Sequence, residues 1–165
     1  MSVESDLTTI VAQEEALVFE RFGEDDAFAI GASVRDAAKT LGKGVAVGVY
    51  LWDRTLFYGT TAGATDANRV WLERKVGLVR LFMRASYRMV LERGDEPRLL
   101  EPNWAIDPAE FAIAGGAFPI ILKGIGIVGA AAASGLHERD DHEIVRSAIA
   151  QRLGKSADFL ALPTV

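Results

Sequence analysis

The chain contains no cysteine. That excludes disulfides, thiolate catalysis and Cys-ligated zinc or iron–sulfur sites, and it accords with a reducing compartment. Histidine is almost as scarce, with only His137 and His142. Basic residues are outnumbered, 18 Lys and Arg against 23 Asp and Glu, giving a formal net charge of −5 and a pI near 5.1. Nothing in that balance attracts nucleic acid or an anionic membrane, so neither is expected as a partner. No long apolar run is uninterrupted. The most apolar window, residues 111–136, is broken by Pro119, Lys123 and several glycines, so no membrane span is expected. Residues 1–6 show neither the positive n-region nor the apolar run of a secretory leader. A cytoplasmic location follows as the expectation.

What remains is an ordinary globular composition, 50% hydrophobic and 25% charged over 165 residues, enough for one domain with a full core. Leu7, Ile10, Val11, Leu17 and Val18 keep helical spacing and predict a first helix from Ser5 to Gly23. A second helix starts near Asp25 or Asp26 and stops at Gly42. Residues 45–52 alternate Val with small residues and read as a strand, followed by an Asp53-Arg54 turn and a return strand over 55–61. Thr65 or Asp66 caps the longest predicted helix, which runs to about Arg93. Residues 95–113 form a loop carrying Pro97, Pro102, Pro108 and Trp104. A last helix is capped at Asp140, with Glu143 three residues on, and an apolar tail carries Phe159, Leu160 and Leu162. Two hairpins with helices between them predict an α+β fold, an antiparallel sheet flanked by helices.

Residues 124–129 match the G-x-G-x-x-G dinucleotide fingerprint, which needs a strand before it, a helix after it and an acidic residue about 20 positions on. Here Gly135 stops the following Ala-rich run too early, and residues 148–153 lie in an amphipathic helix. The alternative is a hairpin: residues 118–122, a Lys123-Gly124 turn, and residues 125–134, with Gly126 and Gly129 marking a bulge or a close backbone approach. The hairpin is the better reading.

Few residues promise chemistry. The two histidines do not form an i, i+4 metal pair on one helix. His137 reads as a solvated turn residue; His142, in the first turn of the last helix, is a surface residue, a haem ligand or a general base. Ser86 and Ser134 lack the setting of an activated nucleophile. Trp71, Arg74 and Lys75 lie on the long helix. Adjacent cations there usually form a solvated face, but Arg74 can also grip a carboxylate while Trp71 stacks on an apolar ligand body. Ser86 and Tyr87 add hydroxyl donors further along.

The ordered set Trp71-Leu-Glu-Arg-Lys75, Ser86-Tyr87, Gly115-Gly116-Ala-Phe118-Pro-Ile, Gly124-x-Gly126-x-Val128-Gly129, Ser134-Gly135-Leu136 and Asp141-His142 resembles the haem-degrading or haem-binding domain family of HbpS, GlcG and the PduO C-terminal domain, in its cytosolic branch. The resemblance covers residues 28–153. It implies a profilin-like domain that assembles into homo-oligomers, with haem or a related small anionic ligand. Where the family pattern places His before the Gly-Gly pair this chain has Ala114, which leaves His142 as the motif-matched haem ligand. The implied ligand-binding set is Trp71, Arg74, Lys75, Ser86, Tyr87, Gly115, Gly116, Phe118, Ser134 and His142. A non-enzymatic assembly protein and an enzyme acting on an anionic substrate stand as alternatives. With no Cys and no surviving cofactor fingerprint, any haem turnover would need an external reductant or peroxide. Surplus apolar residues, among them Val47, Val49, Leu51, Tyr50, Trp52, Trp71, Tyr87 and the tail, point to self-association.

Overall fold

The computed structural model describes residues 3–98 and 106–163. In order these form α1 (Val3–Ala16), β1 (Val18–Phe19), α2 (Glu24–Thr40), β2 (Ala46–Leu51), β3 (Arg54–Thr60), α3 (Asp66–Phe82), α4 (Ser86–Arg93), β4 (Ala117–Leu122), β5 (Gly126–Ser134) and α5 (Glu138–Arg152). The strands make one sheet in the order β1-β4-β5-β2-β3. Its two hairpins are antiparallel, but β1 runs parallel to β4, so the sheet is mixed. The class is α+β, as expected. Among the described residues no helix is long and apolar enough to cross a membrane.

The pleat sends alternate residues to opposite faces, and both faces are covered. Val47 and Val49, with Phe118, Ile120, Ala131 and Ala133, pack on Ile30 and Val34 of α2 and Val145 and Ile149 of α5. On the other face Ala46, Ala117, Ala130 and Ala132 meet Leu72 and Val79 of α3. The branched and aromatic side chains are concentrated on the first face, which forms the main core. Alanine on the second face lets α3 lie close to the sheet, and this carries α3 side chains toward the ends of β4 and β5.

The glycines of the false fingerprint each have a role in the hairpin. Gly124 takes φ +74° in the turn and Gly126 φ +109° where β5 begins. The register shifts by one residue between Ile120 and Ile121, leaving Val128 unpaired as a bulge. A Cβ on Gly129 would collide with the Tyr50 carbonyl oxygen of β2.

Several boundaries differ from expectation. The first helix ends at Ala16, because the next apolar residues pair as β1 beside Ile121 and Leu122. The first hairpin turns at Trp52-Asp53, and Arg54 already pairs with Leu51. The long helix breaks after Phe82, where Met83 adopts a left-handed conformation at φ 55°. The Glu14 carboxylate of α1 then accepts from Ala85 N at 2.6 Å and from Arg88 at 2.6 Å, so a distant side chain caps α4. α5 begins at Glu138 with His137 as its N-cap; Asp140 is inside the helix. The tail packs on its own chain. Gln13 Nε2 donates to the Leu160 carbonyl, Arg146 to those of Ala157 and Phe159, and Leu162 N to Glu143. Val47, Val49, Tyr87 and Leu162 are buried within this chain and are not surplus surface. Trp104 and Pro102 lie outside the described residues.

Candidate functional site

Successive residues on a helix are turned by about 100°, and at the middle of α3 this separates neighbours completely. Lys75 falls one turn after Leu72 and one before Leu78 and Val79, on the buried stripe. It is only 5% exposed, which overturns the reading of Arg74 and Lys75 as one solvated face. Its Nζ donates to Asp141 Oδ2 at 2.8 Å and to the Ala133 carbonyl at 3.1 Å. Asp141 also accepts from Leu136 N at 3.1 Å and Gly135 N at 3.3 Å. Burial pushes the Asp141 carboxyl above its ordinary value, while the ammonium and the two backbone donors pull against that rise. Gly116, at φ +126°, leaves the necessary room: a Cβ there would stand 2.9 Å from Lys75 Nζ. The pair therefore clasps α3, β5 and α5 together where β4 enters the sheet.

Most of the other expected site residues serve the same interior. Ser86 Oγ is fully buried and accepts from Ala117 N at 2.9 Å, fixing the start of α4 to β4. Phe118 is core, Tyr87 is buried, and their rings flank His142 at centroid distances of 5.7 and 5.5 Å. Ser134 is buried at the end of β5, and its carbonyl accepts from Asn68 Nδ2. Gly115 N donates to Glu138 Oε2, whose carboxylate also holds Arg98 through two bonds of 2.9 Å. Thus Lys75, Ser86, Tyr87, Gly115, Gly116, Phe118, Ser134 and His142 are buried in the fold, and of the expected set Trp71 and Arg74 line an open cleft. Helical spacing from Leu72 carried the signal for Lys75, and spacing from Val145 and Ile149 carried it for His142.

The two histidines are the sharpest case. His142 is fully buried; its Nε2 meets Gln13 Oε1 at 2.8 Å and its Nδ1 has no hydrogen-bond partner. Burial, with the charges of Arg146 and Arg139 nearby, holds its pKa down to about 3. The surface reading of His142 fails. The ring stands between Tyr87 and Phe118 and lines none of the clefts described below. His137 is exposed as the N-cap of α5, with Nδ1 accepting weakly from Arg139 N at 3.4 Å.

Of four clefts on the described surface, those of about 500 and 400 Å³ lie along the α3 face by Arg80, and the other two contain expected site residues or the exposed histidine. The larger, about 760 Å³, lies between the end of α2 and the start of α5. Ala37, Leu41, Leu136 and Ile144 give it apolar walls; Lys43, His137, Asp140 and Glu143 stand among them. The smaller, about 250 Å³, lies between α3 and residues 108–114 and contains Trp71, Arg74 and Arg98. Among the described residues no group of three or more His, Asp or Glu side chains is placed to hold a metal ion.

Comparison with known proteins gives a consistent picture. The model of the family described as Haem degrading protein HbpS-like matches residues 22–150. A UPF0303 protein of Brucella canis is 46% identical over 154 residues, 93% of this chain and 91% of the relative. A UPF0303 protein of Brucella anthropi is 45% identical over 159 residues, 96% and 94% of the two chains. The crystal structure of Ybr137w protein superposes with a TM-score of 0.82 at 25% identity, covering 93% of this chain and 92% of that one. The PduOC:haem complex shares the fold, with a TM-score of 0.66 at 16% identity over 78% and 93% of the chains.

Proposed function

The chain belongs to the HbpS-like family of haem-degrading proteins, and from that premise we propose that it is a homo-oligomeric haem-binding protein whose haem sits in the α2–α5 cleft, with His137 toward the iron. One observation carries the site: this cleft contains the one histidine of the two that solvent reaches. Its volume of about 760 Å³ lies in the range of about 300–1,000 Å³ typical of small-molecule and cofactor sites, and the other clefts in that range contain no histidine. Leu41, Leu136 and Ile144 would receive the macrocycle, and Lys43 would meet a propionate. The iron centre itself would supply the redox and ligand chemistry. Binding through His137 Nε2 requires the ring proton to move to Nδ1, at the cost of the long 3.4 Å cap bond.

Self-association is supported by side chains that remain bare after the chain has folded: Ile125 at 75% exposure, Phe28 at 66% and Met83 at nearly half. A mass near 17.8 kDa by light scattering at low micromolar concentration would refute the oligomer. For the ligand, haemin titration followed at the Soret band should saturate in the wild type. His137→Ala should weaken it about tenfold or more, a change of about 1.4 kcal/mol or greater. Absence of any Soret shift in the wild type would remove the reading.

A further inference from the structure

We propose that the smaller cleft, on the α3 side of the molecule, binds a small apolar carboxylate, with Arg74 pairing the carboxylate and Trp71 covering its body. The lining chemistry is one-sided. Two guanidiniums stand among Trp71, Pro108, Phe111, Ile113 and two alanines, with no carboxylate and no histidine among the described lining residues. Such a surface favours an anion with an apolar body and offers nothing to a cation or a metal.

The two arginines are not equivalent. Arg98 already has a bidentate partner in Glu138. Arg74 uses only Nε, donating to the Ala109 carbonyl at 3.0 Å, and its two terminal amino groups have no partner among the described residues. The same residue's carbonyl accepts from Ala112 N at 3.1 Å. These two contacts hold the segment that forms the far wall, so the guanidinium is placed before any ligand arrives. A guanidinium held at Nε presents its free end edge-on, the geometry that suits a carboxylate. Trp71 precedes Arg74 by three residues and shares its helix face. Trp71 is 47% exposed and its indole supplies a flat wall beside the charge, while Phe111 and Ile113 are buried. A volume of 250 Å³ suits one ring or a short branched chain.

This site is independent of the haem reading, and benzoate with its neutral isostere benzamide tests it. In calorimetric titration, the wild-type protein should bind benzoate saturably in the millimolar range, with benzamide about tenfold weaker, the scale of one charge-assisted bond. Arg74→Gln should erase that preference, Arg74→Lys should retain part of it, and Trp71→Ala should weaken both ligands alike. Amide shifts should localise to Ala112, Ile113 and α3. Equal binding of the two ligands by the wild type would overturn the proposal. So would no saturation by about 10 mM, shifts confined to the α2–α5 cleft, or an Arg74→Gln protein with a native spectrum and intact preference. Should Arg74→Gln fail to fold, the wild-type preference and the Trp71→Ala titration decide.

Discussion

Arg74 and Lys75 are adjacent in sequence, carry the same charge, and do opposite things. Lys75 is enclosed against Asp141, the Ala133 carbonyl and Gly116, while Arg74 faces a cleft. The histidines repeat the contrast over five residues: His142 is sealed between Tyr87, Phe118 and Gln13, and His137 stands at the mouth of a larger cleft. Lys75 and His142 thus serve packing, while Arg74 and His137 each stand in an open cleft. Residue type did not decide this. Angular position on α3 did for the cations, and for the histidines a place before α5 as against one on its inner face.

The largest expected effect breaks the closed side. Asp141→Ala leaves the Lys75 ammonium buried without its counter-ion, a situation that costs about 3–5 kcal/mol. Urea unfolding should show a loss of that order, or a chain that does not fold. A loss below about 1 kcal/mol would mean that Lys75 escapes to solvent and that the clasp is not buried in solution.

Acid should separate the two histidines next. His142 is neutral in the folded protein, with its pKa held near 3, but takes a proton near 6.5 once unfolded. Between those values the unfolded chain binds more protons. Stability therefore falls as pH drops below about 6.5, by up to about 1.4 kcal/mol per unit, and this contribution flattens below about 3. Arg139 and Arg146 act in the same direction on His142, while the raised Asp141 carboxyl opposes it by favouring the folded state in acid. His142→Asn should thus remove close to one proton's slope from the pH dependence of urea stability. An unchanged slope would place His142 in contact with solvent.

Smaller effects belong to the open side. Arg74→Gln removes the side-chain bond that anchors Ala109, with an expected loss of about 0.5–1.5 kcal/mol and faster amide exchange at Ala112. Loss of more than about 3 kcal/mol would class Arg74 with Lys75. His137→Ala should cost least, about 0.5 kcal/mol or under, because its cap bond is long. A thermal melt moved by many degrees would refute the picture of His137 as a free surface group.

Much of the fold was legible. The Lys123-Gly124 hairpin won over the dinucleotide fingerprint on local chemistry, and it forms β4 and β5. Thr65 caps α3 as expected, with Asn68 Oδ1 accepting from Thr65 N at 2.8 Å. The break at Met83 was not legible, because residues 82–85 contain neither Gly nor Pro and the cap for α4 comes from Glu14, some seventy residues away. β1 was hidden because Leu17 and Val18 continue a helical period that only pairing with β4 interrupts. At the site, the spacing that placed Val145 and Ile149 inward also placed His142 inward. The usual preference of lysine for solvent obscured the same signal at Lys75, and its partner Asp141 lies 66 positions away.

The most direct test of the division between closed interior and open cleft follows both imidazole rings by nitrogen-detected NMR while zinc protoporphyrin IX, a diamagnetic haem analogue, is added. The account predicts that the His137 ring signals shift progressively and saturate, together with amides of Leu41 and Leu136, while the His142 signals stay those of a neutral, buried ring. Movement of His142 with His137 unchanged would contradict it.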